Sequence, residues 1–488
     1  MTGLDRQQKH FGYWNSSWPV ECGGNRRQKS TVGALGARTG TSKITTKQND
    51  RWNVMAVERD KGEWYLGGTM PAFTGPPPFG WVQKIDLSTL EPIVESKRLP
   101  CGEHVWCGAI LVHSNGSVMS INGSYLHRLS PIDLSIEVEL ELPANRAHNG
   151  LLALSDGSLI TKDLRIEGEG RTTITRICSE TLEILDQFSL PEGSMGRIAA
   201  DIVNMPDGSS VEYVYVPGIH KVWRLVIETD SMKIDGWQPQ YRSKDSNHGL
   251  AWDVCISGGF CWVMDCGDIG SVRAIHTTEP NGRFVTEESK DNVRRLSWRL
   301  PAPWSGAQRL IRIDLNDPDE VQSIEPFGMP GGGIIAPPVY VPELEMAITW
   351  DSINGGLAGV SNTDDELEVM WHFDARPTMQ PVVFPGSKEL VINDFVDSGD
   401  DLIVVDIESA KAALRYHLDR AGGQTTAQVQ DLAVLIKTLA KHWVMVDEKH
   451  LNALKSLCTK VRPNTEGLTP KNRDRLRQFD DSRNVWLL

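Results

Sequence analysis

No run of about 18 apolar residues, the length that crosses a bilayer, occurs in this 488-residue chain. The opening MTGLDRQQKHFGYWNSS lacks the apolar stretch of a signal peptide, so a cytoplasmic protein is expected. Cysteine is sparse and scattered, at 22, 101, 107, 178, 255, 261, 266 and 458. No two form a CxxC pair, which excludes a zinc ribbon or a thioredoxin-type site and leaves free, buried thiols as the expectation. The sequence also lacks GxSxG, HExxH and a Walker A loop. GGNRR from Gly23 and MPGGGII from Met329 are glycine-rich but lack the lysine spacing of a phosphate loop. Positive charge is short: 50 Lys+Arg face 64 Asp+Glu, a net charge of −14. Bulk electrostatics therefore disfavour nucleic acid and anionic membranes as partners, leaving a small-molecule ligand or another protein.

What the chain has is turns and a repeat. It holds 44 Gly and 27 Pro. Seven segments share one pattern of apolar strand, polar turn and second strand. They begin at Trp81, Tyr125, Thr175, Lys221, Arg309, Leu357 and Leu402, at intervals of 44 to 50 residues except for one of 88. Each follows an apolar hairpin closed by a turn such as SDGS, MPDGS or PGSK. Four short strands at this period predict an all-β fold, a seven-bladed β-propeller over residues 45–418. The 88-residue interval is read as one blade carrying a polar insertion between Gly267 and Ala307. An eight-bladed ring is the alternative. Residues 1–44 form an N-terminal extension with a candidate ring-closing strand. The expected inner-strand core is Val105, Leu151, Leu152, Ile198, Leu250, Ile334, Val382 and Val383.

The start of an innermost strand and the end of the next share one face near the axis. His104, His148, Arg197, His248 and Gln380 stand at strand starts, and Asn122, Asp163, Asp265, Asp351 and Asp394 at strand ends. A funnel gathering residues from many loops of a rigid scaffold is the arrangement expected of a binding or catalytic site. Aspartates at strand ends also accept turn N–H bonds, so each has a structural alternative. Two chemistries suit the set. In one, His104, His148 and His248 hold a divalent metal that polarises a carbonyl or activates water. In the other, a histidine (His148 or His248) is the base, Arg197 neutralises a substrate carboxylate and Asp163 orients the imidazole. Asn122, Asp265, Asp351, Asp394, Gln380 and Trp252 would contact the ligand. Either chemistry suits a hydrolase or lyase acting on a small polar or acidic molecule. A non-catalytic protein-interaction scaffold is the alternative.

Through its repeats the chain resembles the quinoprotein-like superfamily of β-propellers, with PQQ-type repeats, over about residues 45–418. That resemblance implies the fold. Its quinone-binding enzymes carry a vicinal disulfide, and this sequence has no Cys-Cys dipeptide, which argues against PQQ as a cofactor. Residues 419–488 differ in kind: Leu432, Leu435, Ile436 and Leu439 recur at helical spacing, and Thr469-Pro470 reads as a helix start. From Gly422 onward there are 11 Lys+Arg and 7 Asp+Glu. The piece LTPKNRDRLRQFDDSRNVWLL resembles a segment of tyrosine recombinases (phage-type integrases) upstream of their catalytic residues. The resemblance implies a helical, recombinase-like remnant without that activity, with DNA binding as an alternative role; a native helical cap packing on the propeller is the other reading of the tail.

Overall fold

The repeats fold as their hydrophobic pattern demands. In a computed structural model, described over residues 12–31, 35, 47, 55–70, 77–104, 107–143, 145–165, 170–242, 251–267, 308–327, 338–351, 356–363, 366–373, 375, 381–396 and 399–419, the third repeat shows the logic. Its first two strands, His148–Ala153 and Leu159–Asp163, are buried at every position. Its fourth, Ile184–Ser189, alternates between exposed and half-buried residues. A strand covered on both faces reads as an unbroken run, and an outermost strand alternates. The turn between the first two is made by Asp156, whose Oδ1 accepts from Ser158 N (2.9 Å) and Oγ (2.7 Å), and by Gly157 at φ +83°.

Seven antiparallel sheets form in this way, each from four strands in chain order, over 55–95, 107–141, 148–189, 199–234, 251–324, 339–373 and 382–419. First strands touch first strands: Met55–Glu58 meets Cys107–Val112, which meets His148–Ala153. Ala199–Asn204 likewise meets Ala251–Ser257, which meets Val339–Val341. The first strands are therefore innermost, and the fold is a seven-bladed β-propeller. The 88-residue interval is a single blade, because Phe260–Asp265 pairs directly with Arg309–Asp314, with Asp265 opposite Arg309. The insertion between them and residues 420–488, with their expected helices and recombinase-like segment, lie outside the described residues.

The core is a chain of interblade clusters, six of them, each joining successive blades from the first-with-second to the sixth-with-seventh. Leu151, Leu152, Ile198 and Val383 are buried as expected. Val382, its side chain alternating with that of Val383, is only half-buried. Val105, Leu250 and Ile334 fall outside the described residues. Cys22, Cys101, Cys255, Cys261 and Cys266 are buried, and Cys178 is half-buried. No helix among the described residues is long and apolar enough to cross a membrane.

Residues 12–31 form no eighth sheet. They run across the inner strands as an irregular segment. Glu58 N donates to Trp18 O (2.8 Å) and Val112 N to Pro19 O (2.7 Å). Ala200 N donates to Asn25 O (2.9 Å), Ile256 N to Arg26 O (2.9 Å) and Val383 N to Lys29 O (2.9 Å). Tyr13 Oη accepts from Ala153 N (3.0 Å), and Asn25 Nδ2 donates to Ala153 O (2.9 Å).

Candidate functional site

The inner strand of the third blade begins against the second. His148 N donates to Gly123 O (2.9 Å), and His148 pairs across the sheet with Asp163. Gly123 sits at φ +55°, and a Cβ there would lie 2.7 Å from His104 O and closer still to Cys101 O, so only glycine fits this junction. The His148 ring is fully buried. Its Nδ1 lies 3.1 Å from Arg146 O. A carbonyl only accepts, so Nδ1 carries the proton and Nε2 a bare lone pair. That Nε2 has no hydrogen-bond partner among the described residues. Burial pushes the imidazole down to about 4, only partly opposed by Asp163.

Two more buried polar side chains stand in the same blade. Asn149 Nδ2 donates to Met195 O (2.7 Å), while its Oδ1 has no partner among the described residues. Lys162 Nζ donates to Ser194 O (3.0 Å) and Met195 O (3.3 Å). Burial brings this amine down to about 7, with Asp163 and Asp253 resisting.

The charges foreseen for the funnel are otherwise engaged. Asp163 accepts from Arg165 Nε (2.5 Å) and Thr173 N (2.6 Å) and makes no bond to the His148 ring. Arg197 N donates to Asp253 Oδ1 (2.7 Å), and its guanidinium lies 3.6 Å from Asp253 Oδ2 and 3.2 Å from Glu21 Oε2. Arg27 completes the group, with Nη2 2.7 Å from Asp253 Oδ2 and Nη1 3.4 Å from Glu21 Oε2. Although burial opposes ionisation, Arg27 and Arg197 hold the Asp253 carboxyl below its ordinary value. Two guanidiniums thus face two carboxylates inside the ring.

Asn122 accepts from Thr69 Oγ1 and donates to Ser120 Oγ, both at 2.9 Å, in the seam between the first two blades. Asp265 is clamped by Arg242 and Arg309 and accepts from Gly267 N (3.1 Å). Trp252 packs in the apolar cluster with Met195, Trp262 and Tyr340. His104, half-buried, lies 3.3 Å from Asn145 Oδ1 and near enough to act on the charge of His148. Asp351 closes the strand Met346–Asp351 and Asp394 lies within Glu389–Val396, their side chains outside the described residues, as are His248 and Gln380 entirely. Among the described residues no group of three His, Cys, Asp or Glu side chains is placed to hold a metal.

Sequence reasoning missed Asn149, Asp253, Glu21 and Arg27. One signal was available for Asp253: a single carboxylate in AWDVCIS, a strand otherwise free of charge and buried throughout, must have a cationic partner. Nothing local says that the partner lies in ECGGNRRQK, more than two hundred residues earlier.

No family model and no curated protein matches the chain. Solved structures of similar shape include the quinohemoprotein alcohol dehydrogenase ADHIIG of Pseudomonas putida HK5, at 10% identity and TM-score 0.49, covering 82% of this chain and 72% of that one. A europium-containing methanol dehydrogenase matches at 11% identity and TM-score 0.47, over 84% and 86%. The β-propeller domain of Cps50 (Swd1) from Myceliophteria thermophila matches at 8% identity and TM-score 0.35, over 62% and 82%. Likeness at this level concerns fold alone and carries no ligand or residue role across.

Proposed function

We propose that the protein binds a small hydroxylated or acidic molecule at the end of the ring where the inner strands begin, against His148, Asn149 and Lys162. The observation that carries this reading is that two buried acceptors on consecutive residues of one inner strand, His148 Nε2 and Asn149 Oδ1, have no donor among the described residues. A buried acceptor left unmade costs about 1–3 kcal/mol, and an occupant with two O–H or N–H groups answers both. Lys162, in its charged form, uses two of three N–H donors on carbonyls and keeps one for an acidic oxygen.

Binding is favoured over acid–base catalysis, because an imidazole at about 4 is a feeble base at neutral pH. The imidazole is also oriented as a metal ligand would be, its second nitrogen on a backbone carbonyl, so a divalent cation is the competing occupant. Thermal shift against sugar acids, polyols and divalent cations, each added alone, tests the proposal. At about 100 times its Kd a true ligand adds about 2.7 kcal/mol. The shift is expected from a hydroxylated or acidic compound in the wild type and not in His148→Phe, which keeps the ring shape and loses the acceptor. A shift that survives in His148→Phe, or one given by cations alone, would overturn it.

A second reading, a partner-binding scaffold, draws on the outer edges of the first three blades. Leu87, Ile93, Ile132, Ile136, Ile184 and Leu185 are exposed there, Ile132 at 81%. Lysine at Ile93, Ile132 and Leu185 would abolish concentration-dependent association in sedimentation velocity if this rim is an interface, and leave it unchanged if it is not.

A further inference from the structure

A propeller must join its last blade to its first, and the usual means is to build one sheet from both ends of the chain. Here all seven sheets among the described residues are made of four consecutive strands, so among those residues no sheet straddles the two ends. The apolar clusters likewise join blades one to seven in six steps, and none among the described residues joins the seventh to the first.

Residues 12–31 bond to both blades that flank that gap. Trp18 O takes the N–H of Glu58 in the first blade, and thirteen residues on Thr31 N donates to Val383 O (3.0 Å) in the seventh. Ser30 forms a parallel bridge with Val383. Between these anchors the segment bonds to blades two to five, and Lys29 Nζ reaches Pro338 O (3.5 Å) at the sixth. Every blade is therefore tied to one stretch of chain. Its backbone is held against its own preference: Cys22, Arg27 and Lys29 lie at φ +64°, +56° and +53°, left-handed values that non-glycine residues adopt only when their surroundings dictate it. All three are buried. Arg27 supplies the pin, through its buried pair with Asp253.

We infer that residues 12–31 are the clasp of the ring, closing the seam between the seventh and first blades from inside by non-covalent contacts. The segment crosses the inner strands near their far ends at Val112, Ala153 and Ile256, and nearer their starts or middles at Ala200 and Val383.

The test separates a clasp from ordinary core packing. A protease site inserted within residues 36–46 is cut after folding. The freed N-terminal piece is expected to co-elute with the ring, and the melting temperature to stay unchanged. A chain lacking residues 1–31 is expected to melt lower, with amide exchange accelerated most in Met55–Glu58 and Val382–Phe384 and least in Ala199–Asn204, although the segment bonds to all three. A synthetic peptide of residues 12–31 is expected to restore protection at both seam strands. If the truncated chain does not fold, washing the piece from the nicked ring in mild urea gives the same comparison. Unchanged melting on removal, or exchange raised equally in all blades, would overturn the inference.

Discussion

Replacing Asp253 by asparagine isolates the charge at the centre of the ring. The substitution keeps an oxygen to accept from Arg197 N and removes the charge that Arg27 and Arg197 share. Two guanidiniums then face Glu21 without that charge, both in surroundings that exclude water. Breaking a buried pair from one side costs about 3–5 kcal/mol, and the retained hydrogen bond places this case near 3. Unfolding entropy of about 2.1 cal/mol/K per residue gives about 0.7 kcal/mol/K for a ring of this size, so the melting temperature should fall by about 4 °C. The double variant Arg27→Met with Asp253→Asn removes one charge of each sign and leaves Arg197 balanced by Glu21. It should therefore recover most of the loss. Scanning calorimetry on wild type, both single variants and the double variant completes the cycle. Asp253→Asn melting within about 1 °C of wild type, or a double variant as unstable as the sum of its parts, would refute the reading of these four groups as one neutral cluster.

Further expectations concern pH and the blade junctions. His148 is held at about 4 when folded, against about 6.5 unfolded, so the unfolded chain binds the extra proton between those values. Stability should be undiminished by this group above pH 6.5 and fall by up to about 3 kcal/mol as the pH drops to 4; urea midpoints across that range should fall less steeply in His148→Phe. Lys162, brought to about 7, works in the other window: the unfolded chain holds the proton from pH 7 to about 10.5, so stability should rise with pH there, and Lys162→Met should flatten that rise in the same assay. Gly123→Ala meets both a positive φ and the carbonyls of Cys101 and His104, and should cost at least about 2 kcal/mol by denaturant melting; a loss under 0.5 would show the junction to be pliable.

The blades were legible because their information is local. SDGS announces its own turn, and an unbroken run such as HNGLLA announces a strand covered on both faces. Even the 88-residue interval could be resolved, since the strands flanking the insertion keep their pattern. The ionic interior was not legible, because an ion pair is a relation between two places. Arg197 at a strand start was expected to meet a substrate's carboxylate, and the carboxylates it meets are Asp253 and Glu21 of the protein itself. Asp163 next to a histidine suggested an orienting role, yet two residues on, Arg165 offers a stronger donor in the same turn, and takes it. Residues 12–31 carry no strand pattern, so their course across seven blades is invisible until the blades are in place.

Counting partners changes where function should be sought. The charged and amide groups that looked available, Asp163, Asp265, Arg197 and Asn122, are each paired with named neighbours. Recruiting any one of them to a substrate means uncovering its present partner in a buried setting, at a cost on the order of 3 kcal/mol or more for the ionic ones. A ligand's binding energy would be consumed by that exchange. Two neutral atoms on consecutive residues of one inner strand, His148 Nε2 and Asn149 Oδ1, have no partner among the described residues, and contacting them breaks no hydrogen bond that either makes. Selectivity at such a site comes from the occupant's donors rather than from its charge, since a site built to accept hydrogen bonds rejects an analogue lacking the matching O–H far more strongly than it rejects one lacking a methylene. Methylating one hydroxyl of a bound polyol should therefore weaken it more than shortening its carbon chain does, and the reverse order would return the search to the charged residues.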